Sequence, residues 1–437
     1  MREMRRGLKI CDQSRIMKTR LGALDSERGR NFCRACNSNK VVQVLDLGNL
    51  PIANELPITN HEVIDLFPLC FGICNDCGLG QVGEPVSRER LFSDYRYLSS
   101  ISETWLRHAQ TFAQNTVETL ELTSSDLVVE IASNDGYLLQ YFKKCGIKVL
   151  GVEPAKNIAM KANLNGIETI SEFFGIDTAK EISNLYSEPK LIIANNVAAH
   201  VPNLRDFFGG LEILAGDQTL VSIENPSILN LLKENQFDTI YHEHYSYLSA
   251  YAIRNIGAEF GLNLFRVESL STHGGSNRYW LKRGELTELE RIELNTFIDS
   301  ELNSGLMDML AWSKFSSNVE SSLANLREWL ESSKQEGRRV FGFTAAAKAS
   351  TILNAAKISH VEISGIADSS PEKMGRFLPS LGVPIISIEE LKGERPTDIL
   401  IFAWNISHEI SKLVWEELGM NVRCWIAIPD LKELTHE

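Results

Sequence analysis

The chain has 437 residues, which at about 150 residues per domain predicts three domains. A net charge of −13, with 43% hydrophobic and 23% charged residues, is typical of a globular protein and excludes a disordered or fibrous chain. The acidic balance also argues against a nucleic-acid partner, because such binding depends on clustered lysine and arginine.

Nothing in the sequence predicts a membrane or secretory segment. No apolar run approaches the roughly 20 residues that a membrane-spanning helix needs, and the N-terminus lacks the apolar core of a secretory signal. We therefore expect a cytoplasmic protein without a membrane partner. Residues 1–30 carry nine Lys/Arg and four acidic residues, and we predict that they form a basic, disordered tail.

Residues 31–93 form a short, loop-rich region that holds five of the eight cysteines. Cys33 and Cys36 form one CxxC pair, and Cys74 and Cys77 form a second pair. Two such pairs supply the four thiolates of a tetrahedral Zn²⁺ site and leave no open coordination position. The sequence therefore predicts a structural zinc module, with Cys70 outside the site because it lacks a CxxC partner.

From residue 94 onward, apolar runs alternate with amphipathic stretches. The runs LVVEIA, KVLGVEP, KLIIANN and TLVSIENP predict strands of a mainly parallel sheet with helices between them. LNLFRVESL and SNRYWLKR are separated only by STHGG, which predicts an antiparallel hairpin at the sheet edge. Residues 286–335 have a helical composition, and a second βα series starts at RRVFGFTAA. We assign 94–300 to one α/β domain and 301–437 to another.

The first predicted strand of the first α/β domain runs through Glu130 into a turn of small residues that includes Asn134 and Gly136. A strand, a turn and a helix in this order let a nucleotide-like ligand approach the backbone. The segment EIASNDG is neither a dinucleotide fingerprint nor a P-loop, so it favours neither a pyrophosphate nor a triphosphate.

Polar residues also end the next two predicted strands. Glu153 is placed where a carboxylate accepts both hydroxyl hydrogens of a ribose, and the amides of Asn195 and Asn196 could hold a cofactor's polar edge. Together with EIASNDG, these residues fit the S-adenosylmethionine (SAM) site of a class I methyltransferase. An α/β domain that binds another nucleotide is the alternative.

The densest polar-aromatic cluster of the chain is Tyr241-His242-Glu243-His244-Tyr245, after the strand SIENP. A histidine exchanges a proton near neutral pH, and a neighbouring Glu or Tyr can orient it. A metal site and a purely structural cluster are the alternatives. An extended segment would point His242 and His244 to one side without the helical spacing of HExxH, which disfavours the metal.

Further polar residues follow later strands and turns. Lys348 lies close to a predicted helix N-terminus, which makes this region a candidate diphosphate site. Taken one at a time, such residues are more often ordinary loop chemistry. The set comprises His273, Ser276, Arg278, Lys348, Arg376 and Asn405.

In this order, the motifs resemble those of the three-domain NDP-deoxysugar C-methyltransferases, which branch sugars at C-3′. The resemblance covers residues 31–437 and rests on CxxC…CxxCGL, DYRYLSS, EIASNDG, GVEP, ENPS, YHEHYSY, HGGS-x-R, GFTAAAK and SSPEKMGRFLP. It implies a four-cysteine zinc module, then a class I methyltransferase domain with a Rossmann-like fold, then a second Rossmann-like domain that contributes to sugar-nucleotide binding.

The resemblance also implies roles by position. His244 matches the catalytic base, with Tyr241 and Glu243 beside it, and Tyr97 matches a tyrosine near the substrate pocket. The six downstream residues named above are then candidates for substrate binding. Cofactor contacts are expected at Glu130, Asn134, Gly136, Glu153, Asn195 and Asn196, and zinc ligands at Cys33, Cys36, Cys74 and Cys77. The sequence departs from the family at Ala132, where a glycine is usual.

The reaction that the resemblance implies is SAM-dependent C-methylation of an NDP-4-keto-deoxysugar, with dTDP as the expected nucleotide. His244 would remove the C-3′ proton, which the ketone acidifies, and Tyr241 or nearby donors would stabilise the enolate that attacks the sulfonium methyl. The alternatives are an RNA methyltransferase with a zinc knuckle and a catalytically silent sugar-nucleotide-binding protein. We expect a monomer.

Overall fold

The computed structural model describes residues 32–83, 86–92, 100 and 103–435. The basic segment 1–30 and Tyr97, which the sequence analysis singled out, lie outside the described residues. No helix in the described part of the chain is long and apolar enough to cross a membrane.

The strands and helices alternate over most of the chain, as the apolar pattern predicts. The strands are β1 (Val41–Leu50), β2 (Phe67–Cys74), β3 (Gly80–Val82), β4 (Leu127–Ile131), β5 (Lys148–Val152), β6 (Thr169–Ile170), β7 (Leu191–Asn195), β8 (Leu220–Pro226), β9 (Ser246–Tyr247), β10 (Asn263–Leu270), β11 (Ser276–Lys282), β12 (Val340–Phe343), β13 (Ile366–Ala367), β14 (Ile385–Ile386), β15 (Asp398–Ile401), β16 (Arg423–Ile426) and β17 (Lys432–Leu434). The α-helices are α1 (Arg88–Phe92), α2 (Glu103–Thr119), α3 (Leu139–Lys144), α4 (Lys156–Leu164), α5 (Ile176–Leu185), α6 (Leu204–Leu214), α7 (Ile228–Lys233), α8 (Ala250–Glu259), α9 (Glu288–Asn303), α10 (Met309–Gln335), α11 (Ala347–Ala355), α12 (Ile388–Glu394) and α13 (Ser407–Lys412).

The N-terminal sheet is antiparallel, with the strand order β1-β2-β3-β9. Its last strand, β9, comes from residues more than 160 positions further along the chain, and pairs Gly80 with Tyr247 and Gln81 with Ser246. The sheet of the cysteine-rich region is therefore completed by the residues that directly follow the YHEH cluster.

The central sheet has the order β10-β11-β8-β7-β4-β5-β6. All strands are parallel except β11, which runs antiparallel to both β8 and β10. Every residue of β4 is buried, because the strand is parallel and covered on both faces, and all of its residues except Glu130 are apolar. This topology confirms the predicted class I methyltransferase fold and the predicted hairpin at the sheet edge.

The C-terminal sheet has the order β14-β13-β12-β15-β16-β17 and is parallel except for β17. The helical region predicted at 286–335 is confirmed by α9 and the 27-residue α10. A second α/β unit therefore follows the methyltransferase sheet, as the resemblance implies.

The three parts pack against one another rather than standing apart. One hydrophobic cluster contains Leu45 and Phe71 of the N-terminal sheet, Trp312 of α10, and Val340 and Ile366 of the C-terminal sheet. Burying these side chains together joins the first and last parts of the chain.

Candidate active site

The four cysteines of the two CxxC pairs converge on one point. Their Sγ atoms all lie within 4.8 Å of one another, with 3.4 Å between Cys33 and Cys77 and 3.6 Å between Cys36 and Cys74. Zn–S bonds of about 2.3 Å in a tetrahedron put the sulfur atoms about 3.8 Å apart, so the donor set fits zinc. Among the described residues, no other group of His, Cys, Asp and Glu has metal-site geometry.

Cys70 stays outside this cluster, as predicted. It lies on β2, and burial followed by the neighbouring Asp46 raises the pKa of its thiol to about 12. The zinc is therefore held by four thiolates alone and has no position left for a substrate, which makes it a structural metal.

The loop after β4 has the tight backbone that a cofactor loop needs. Ala132, Asn134 and Gly136 all have positive φ values of 54°, 49° and 80°. A side chain at Gly136 would meet Ile167 at 2.8 Å, so this position requires glycine. Ala132 occupies the same left-handed region, which explains in backbone terms why glycine is usual there in the family that the chain resembles.

Three carboxyl groups surround this loop. Glu153 accepts hydrogen bonds from the backbone N–H of Asn134 at 3.0 Å and of Ala155 at 2.9 Å, and burial raises its pKa to about 7. Glu130 is 1% exposed, and burial, then Glu153 and Asp135, raise the pKa of Glu130 well above its usual value. Glu153 thus holds the loop as well as offering oxygen atoms to a ligand.

Several acceptor atoms at this edge have no partner within the described ranges. They are Glu130 Oε2, Asp135 Oδ1, Asn195 Oδ1 and Asn196 Oδ1. Buried polar atoms are almost always hydrogen-bonded in a complete site. SAM carries an ammonium group, two ribose hydroxyls and an adenine amino group, so the orphaned acceptors fit its donors. Among the described residues, Asp135 also has an unpaired oxygen at this edge, although no role was expected for it from the sequence. It lies between Asn134 and Gly136, which were both expected to contact the cofactor.

Tyr241 and His244 lie in direct contact. The imidazole Nδ1 of His244 donates to the Thr239 carbonyl oxygen at 2.9 Å, which leaves Nε2 as the acceptor for the Tyr241 hydroxyl at 2.9 Å. Burial lowers the pKa of His244 well below its usual value, with a further contribution from His200. The ring is therefore neutral at neutral pH and carries a lone pair on Nε2.

The YHEH cluster is a turn, and the prediction of an extended segment is wrong. The N–H of His244 donates to the carbonyl of Tyr241 at 3.0 Å, which closes the turn. His242 consequently points away from His244, with its ring against Phe67 and its Nε2 3.3 Å from the Phe67 carbonyl oxygen. The two histidines cannot share a metal.

Glu243 is buried on the other side of the turn. Its Oε1 accepts from the side-chain and backbone N–H groups of Asn54, at 3.0 and 3.3 Å, while Oε2 has no partner in the described structure. Its carbonyl oxygen is 2.7 Å from Nδ1 of His200, whose ring lies 4.7 Å from that of His244. His200 was not predicted from the sequence as a member of this cluster. Its place shortly after the end of β7, at the edge where the parallel strands end, could have indicated it.

A cavity lies beside His244 and is lined by Asn225, Ser246 and Tyr247 among other residues. Asn225 is 1% exposed, and neither atom of its amide has a partner in the part of the chain that the structure describes. This asparagine belongs to the motif ENPS, and no role was expected for it from the sequence. A buried donor without a partner, next to a neutral imidazole, is placed to bind an oxygen atom of a ligand.

The residues predicted around the STHGG turn have mixed surroundings. Arg278 is buried, forms an ion pair with Glu224 and lies over the Phe112 ring, and Glu224 also contacts Nε2 of His108 at 3.1 Å. Ser276 donates to the Thr272 carbonyl at 3.0 Å and so closes the turn. His273 is exposed, and its ring centre is 5.0 Å from that of Trp105.

The residues predicted in the C-terminal domain separate into two groups. Lys348 donates to the Asn405 side chain at 2.8 Å and lies over the Trp404 ring, which in turn donates to Asp238 next to the YHEH turn. Lys348 and Asn405 are thus close to the YHEH turn. Arg376 instead donates to the carbonyl oxygen of Leu56 in the zinc module at 3.0 Å.

Three families match successive parts of the chain. Residues 33–92 match a zinc binding domain, residues 105–267 match a methyltransferase domain, and residues 271–429 match a C-methyltransferase C-terminal domain. This is the order that the sequence analysis predicts, and the exact boundaries at 30/31, 93/94 and 300/301 remain predictions.

A curated relative matches almost end to end. The C-methyltransferase NovU of Streptomyces niveus is 31% identical over 415 residues, which cover 94% of this chain and 99% of NovU. Solved structures overlap only in part. The magnesium protoporphyrin IX methyltransferase ChlM of Synechocystis PCC 6803, with bound SAM, is 15% identical, covers 45% of this chain and 89% of its own, and has a TM-score of 0.32. The PH0226 protein of Pyrococcus horikoshii is 12% identical, covers 45% and 98%, and has a TM-score of 0.35.

The alignment with NovU thus spans the part of this chain that holds the zinc module, the methyltransferase domain and the C-terminal domain. The chain belongs to the family of three-domain, SAM-dependent C-methyltransferases that includes NovU.

Proposed function

We propose that this C-methyltransferase transfers the methyl group of SAM to C-3′ of an NDP-4-keto-deoxysugar, with dTDP as the nucleotide. The observation that carries the proposal is the neutral His244 imidazole, held through Nδ1 by the Thr239 carbonyl and presenting Nε2 to Tyr241. A saturated carbon can attack an electrophilic methyl group only after it has lost a proton, because it otherwise has no electron pair to offer. A base and an acidified C–H bond are therefore required.

A ketone next to the reacting carbon supplies that acidity, because the negative charge moves onto the ketone oxygen. In the proposed reaction, the Tyr241 hydroxyl transfers its hydrogen bond from His244 to the ketone oxygen of the bound sugar, which frees the Nε2 lone pair. His244 Nε2 then takes the C-3′ proton, the C–H electron pair forms the enolate, and a new C–C bond replaces the S–CH₃ bond of SAM. SAM supplies the electrophilic methyl group. Positioned general bases contribute about 10²–10⁴-fold to such reactions.

Oxygen-binding donors stand beside the proposed base. The Tyr241 hydroxyl contacts His244, and the amide of the buried Asn225 lines the same cavity. We propose that these groups bind the ketone oxygen, where charge develops as the proton leaves. Glu243, on the same turn, accepts from a hydroxyl or amino group of the sugar.

The C-terminal domain is the proposed holder of the nucleotide. Lys348 and Asn405 lie at the side of the YHEH turn that faces this domain, and the charge of Lys348 acts to lower the pKa of the buried Asp238. A cation beside a helix N-terminus suits a diphosphate. We further propose that the remaining predicted substrate contacts, His273, Ser276, Arg278, Arg376 and Tyr97, take part in binding the sugar nucleotide.

Mass spectrometry tests the proposal directly. The protein is incubated with SAM and a panel of NDP-4-keto sugars, and the same sugars reduced at C-4 serve as controls. We expect a gain of one methylene unit only in the 4-keto sugars, because only these carry the acidified C–H bond. Methylation of the reduced sugars, or of no sugar in the panel, would contradict the proposal.

A further inference from the structure

The zinc module reaches the YHEH turn through three separate contacts. Strand β9, which follows the turn, completes the module's sheet. Arg34, inside the first CxxC pair, donates through Nη1 to the carbonyl oxygens of Val82 at 2.6 Å and Tyr245 at 3.1 Å. Asn54 contacts Glu243. The module is therefore attached to the residues that carry the proposed chemistry, and not only to the surface of the domain.

The contact of Asn54 differs from the other two because it ends on a side-chain atom. The backbone N–H and the side-chain amide of Asn54 both donate to Oε1 of Glu243. The other carboxyl oxygen, Oε2, has no partner in the described structure. Asn54 itself is exposed, whereas Glu243 is 3% exposed. The asparagine thus covers one side of a buried carboxyl group.

The segment that carries Asn54 is fixed on both sides. Ile52 and Ala53 before it are buried in the core. The carbonyl oxygens of Leu56 and Pro57 after it accept from Arg376 Nη1 and from the Phe377 N–H of the C-terminal domain, each at 3.0 Å. Asn54 therefore stands at a fixed place where all three parts of the chain meet.

We infer that Asn54 of the zinc module is a positioning residue of the active site, which holds Oε1 of Glu243 and thereby directs Oε2 to a hydroxyl or amino group of the sugar. The inference rests on the proposed function, which puts Glu243 against the acceptor. Two hydrogen bonds on one oxygen fix the rotation of the carboxyl group, so the other oxygen is left as the acceptor for a ligand.

Asn54 also influences the charge of Glu243. Burial, with a small contribution from Glu55, raises the pKa of Glu243 to about 7, although both hydrogen bonds from Asn54 act to lower it. His200 also contacts Glu243, because its Nδ1 lies 2.7 Å from the carbonyl oxygen of Glu243. Removing the Asn54 amide should therefore raise the pKa of Glu243 and keep its carboxyl group protonated at a higher pH.

The test compares Asn54→Ala and Asn54→Asp with Asn49→Ala, a matched control on the exposed part of β1. We expect both Asn54 variants to keep their zinc, and to lose about 10- to 100-fold in kcat/KM for the sugar with the KM for SAM unchanged. The acid limb of their pH profile should move to higher pH. Asn54→Asp retains the shape of the side chain but replaces its donor with a carboxyl group that repels Glu243, so it should raise the pKa of Glu243 more than Asn54→Ala does.

Wild-type kinetics and pH profile in both Asn54 variants, or equal losses in Asn49→Ala, would overturn the inference. A titration by carbon NMR, with ¹³C-labelled glutamate assigned by Glu243→Gln, needs no turnover. There we expect a higher Glu243 pKa in Asn54→Ala than in the wild type, and an unchanged pKa would overturn the inference. If the wild type methylates no sugar while this shift is seen, the proposed function fails and the positioning role stands.

Discussion

Two buried polar clusters of this protein differ in how completely their atoms are paired. At the zinc site, four sulfur atoms face one another within 4.8 Å and have room for one ion and nothing else. At the carboxyl edge of the central sheet, oxygen atoms of Glu130, Asp135 and two asparagines are buried without partners in the described ranges. The first cluster is closed and the second is open.

The difference separates structure from function. A closed cluster gains all its stabilisation from its own residues and one metal, so it holds a fold together. An open cluster costs folding free energy, because buried polar atoms have lost water without gaining a partner. A protein tolerates this loss of stability when a bound ligand supplies the missing hydrogen-bond partners. Unpaired buried atoms are therefore a better guide to the site than polar residues in general.

Breaking the closed cluster should have the largest effect. Cys74→Ser removes one of the four thiolates, so we expect the zinc content to fall below about one ion per chain. We also expect the free energy of unfolding to fall by several kcal/mol, because the binding of structural zinc contributes about 10–16 kcal/mol. Metal analysis and thermal unfolding measure this. Cys70→Ser is the matched control and should keep its metal. An unchanged zinc content in Cys74→Ser would refute the ligand set.

Removing the proposed base should affect turnover without affecting binding. We expect His244→Asn to lower methyl transfer by about 10²–10⁴-fold while S-adenosylhomocysteine still binds. His242→Asn should cost much less, because its ring points toward Phe67. A second measurement is exchange of the sugar's C-3′ proton with deuterium in the presence of S-adenosylhomocysteine, which the wild type should catalyse. Exchange at the wild-type rate in His244→Asn would assign the base to another residue.

The open cluster can be tested at Glu153, whose carboxyl group is expected to accept the ribose hydroxyls of SAM. Glu153→Ala removes two acceptors of backbone N–H groups and the proposed ribose contact, so we expect S-adenosylhomocysteine binding to weaken by about 1.5–3 kcal/mol. Calorimetry measures the affinity, with Glu172→Ala as the control because that glutamate is exposed. Equal affinity in Glu153→Ala and the wild type would remove Glu153 from the site.

The smallest effect is a pH dependence of cofactor affinity. Because burial raises the pKa of Glu153 to about 7, this carboxyl group is mostly protonated at pH 6 and ionised at pH 8. If the ionised form accepts the ribose hydroxyls, affinity should rise about tenfold between these values, with protons released on binding. Without a cofactor, the folded protein keeps Glu153 protonated to a higher pH than the unfolded chain does. The free energy of unfolding should therefore fall as the pH rises from about 4.5 toward 7. A Glu153→Gln variant with the full pH dependence would contradict this assignment.

Local patterns were sufficient for the strands and the metal ligands. The runs LVVEI and LIIAN are apolar at almost every position because both faces of a parallel strand are covered, so β4 and β7 could be located from the sequence. Each CxxC pair is local as well. The residues that end these strands gather at one edge whatever the details of packing, which is why the positions of Glu130 and Glu153 were predictable.

Contacts between distant residues could not be predicted in this way. Asn54 and Glu243 are 189 positions apart, and Arg376 and Leu56 are 320 apart. Neither contact leaves a periodic signal, because each depends on how whole domains pack. The same limit explains the error at YHEH, where the sequence pattern suggested an extended segment and packing against Phe67 and Thr239 produced a turn.

The sequence by itself therefore determined the element order, the two CxxC pairs, the strand ends that meet at the carboxyl edge of the central sheet and the identity of the polar-aromatic cluster. These features follow from side-chain periodicity and short spacings. Only the tertiary structure decided which nitrogen of His244 is available, which acceptors stay unpaired, and that the zinc module extends to Glu243. These properties depend on distances between atoms that the chain brings together from far apart, and such distances are set by the packing of the whole core.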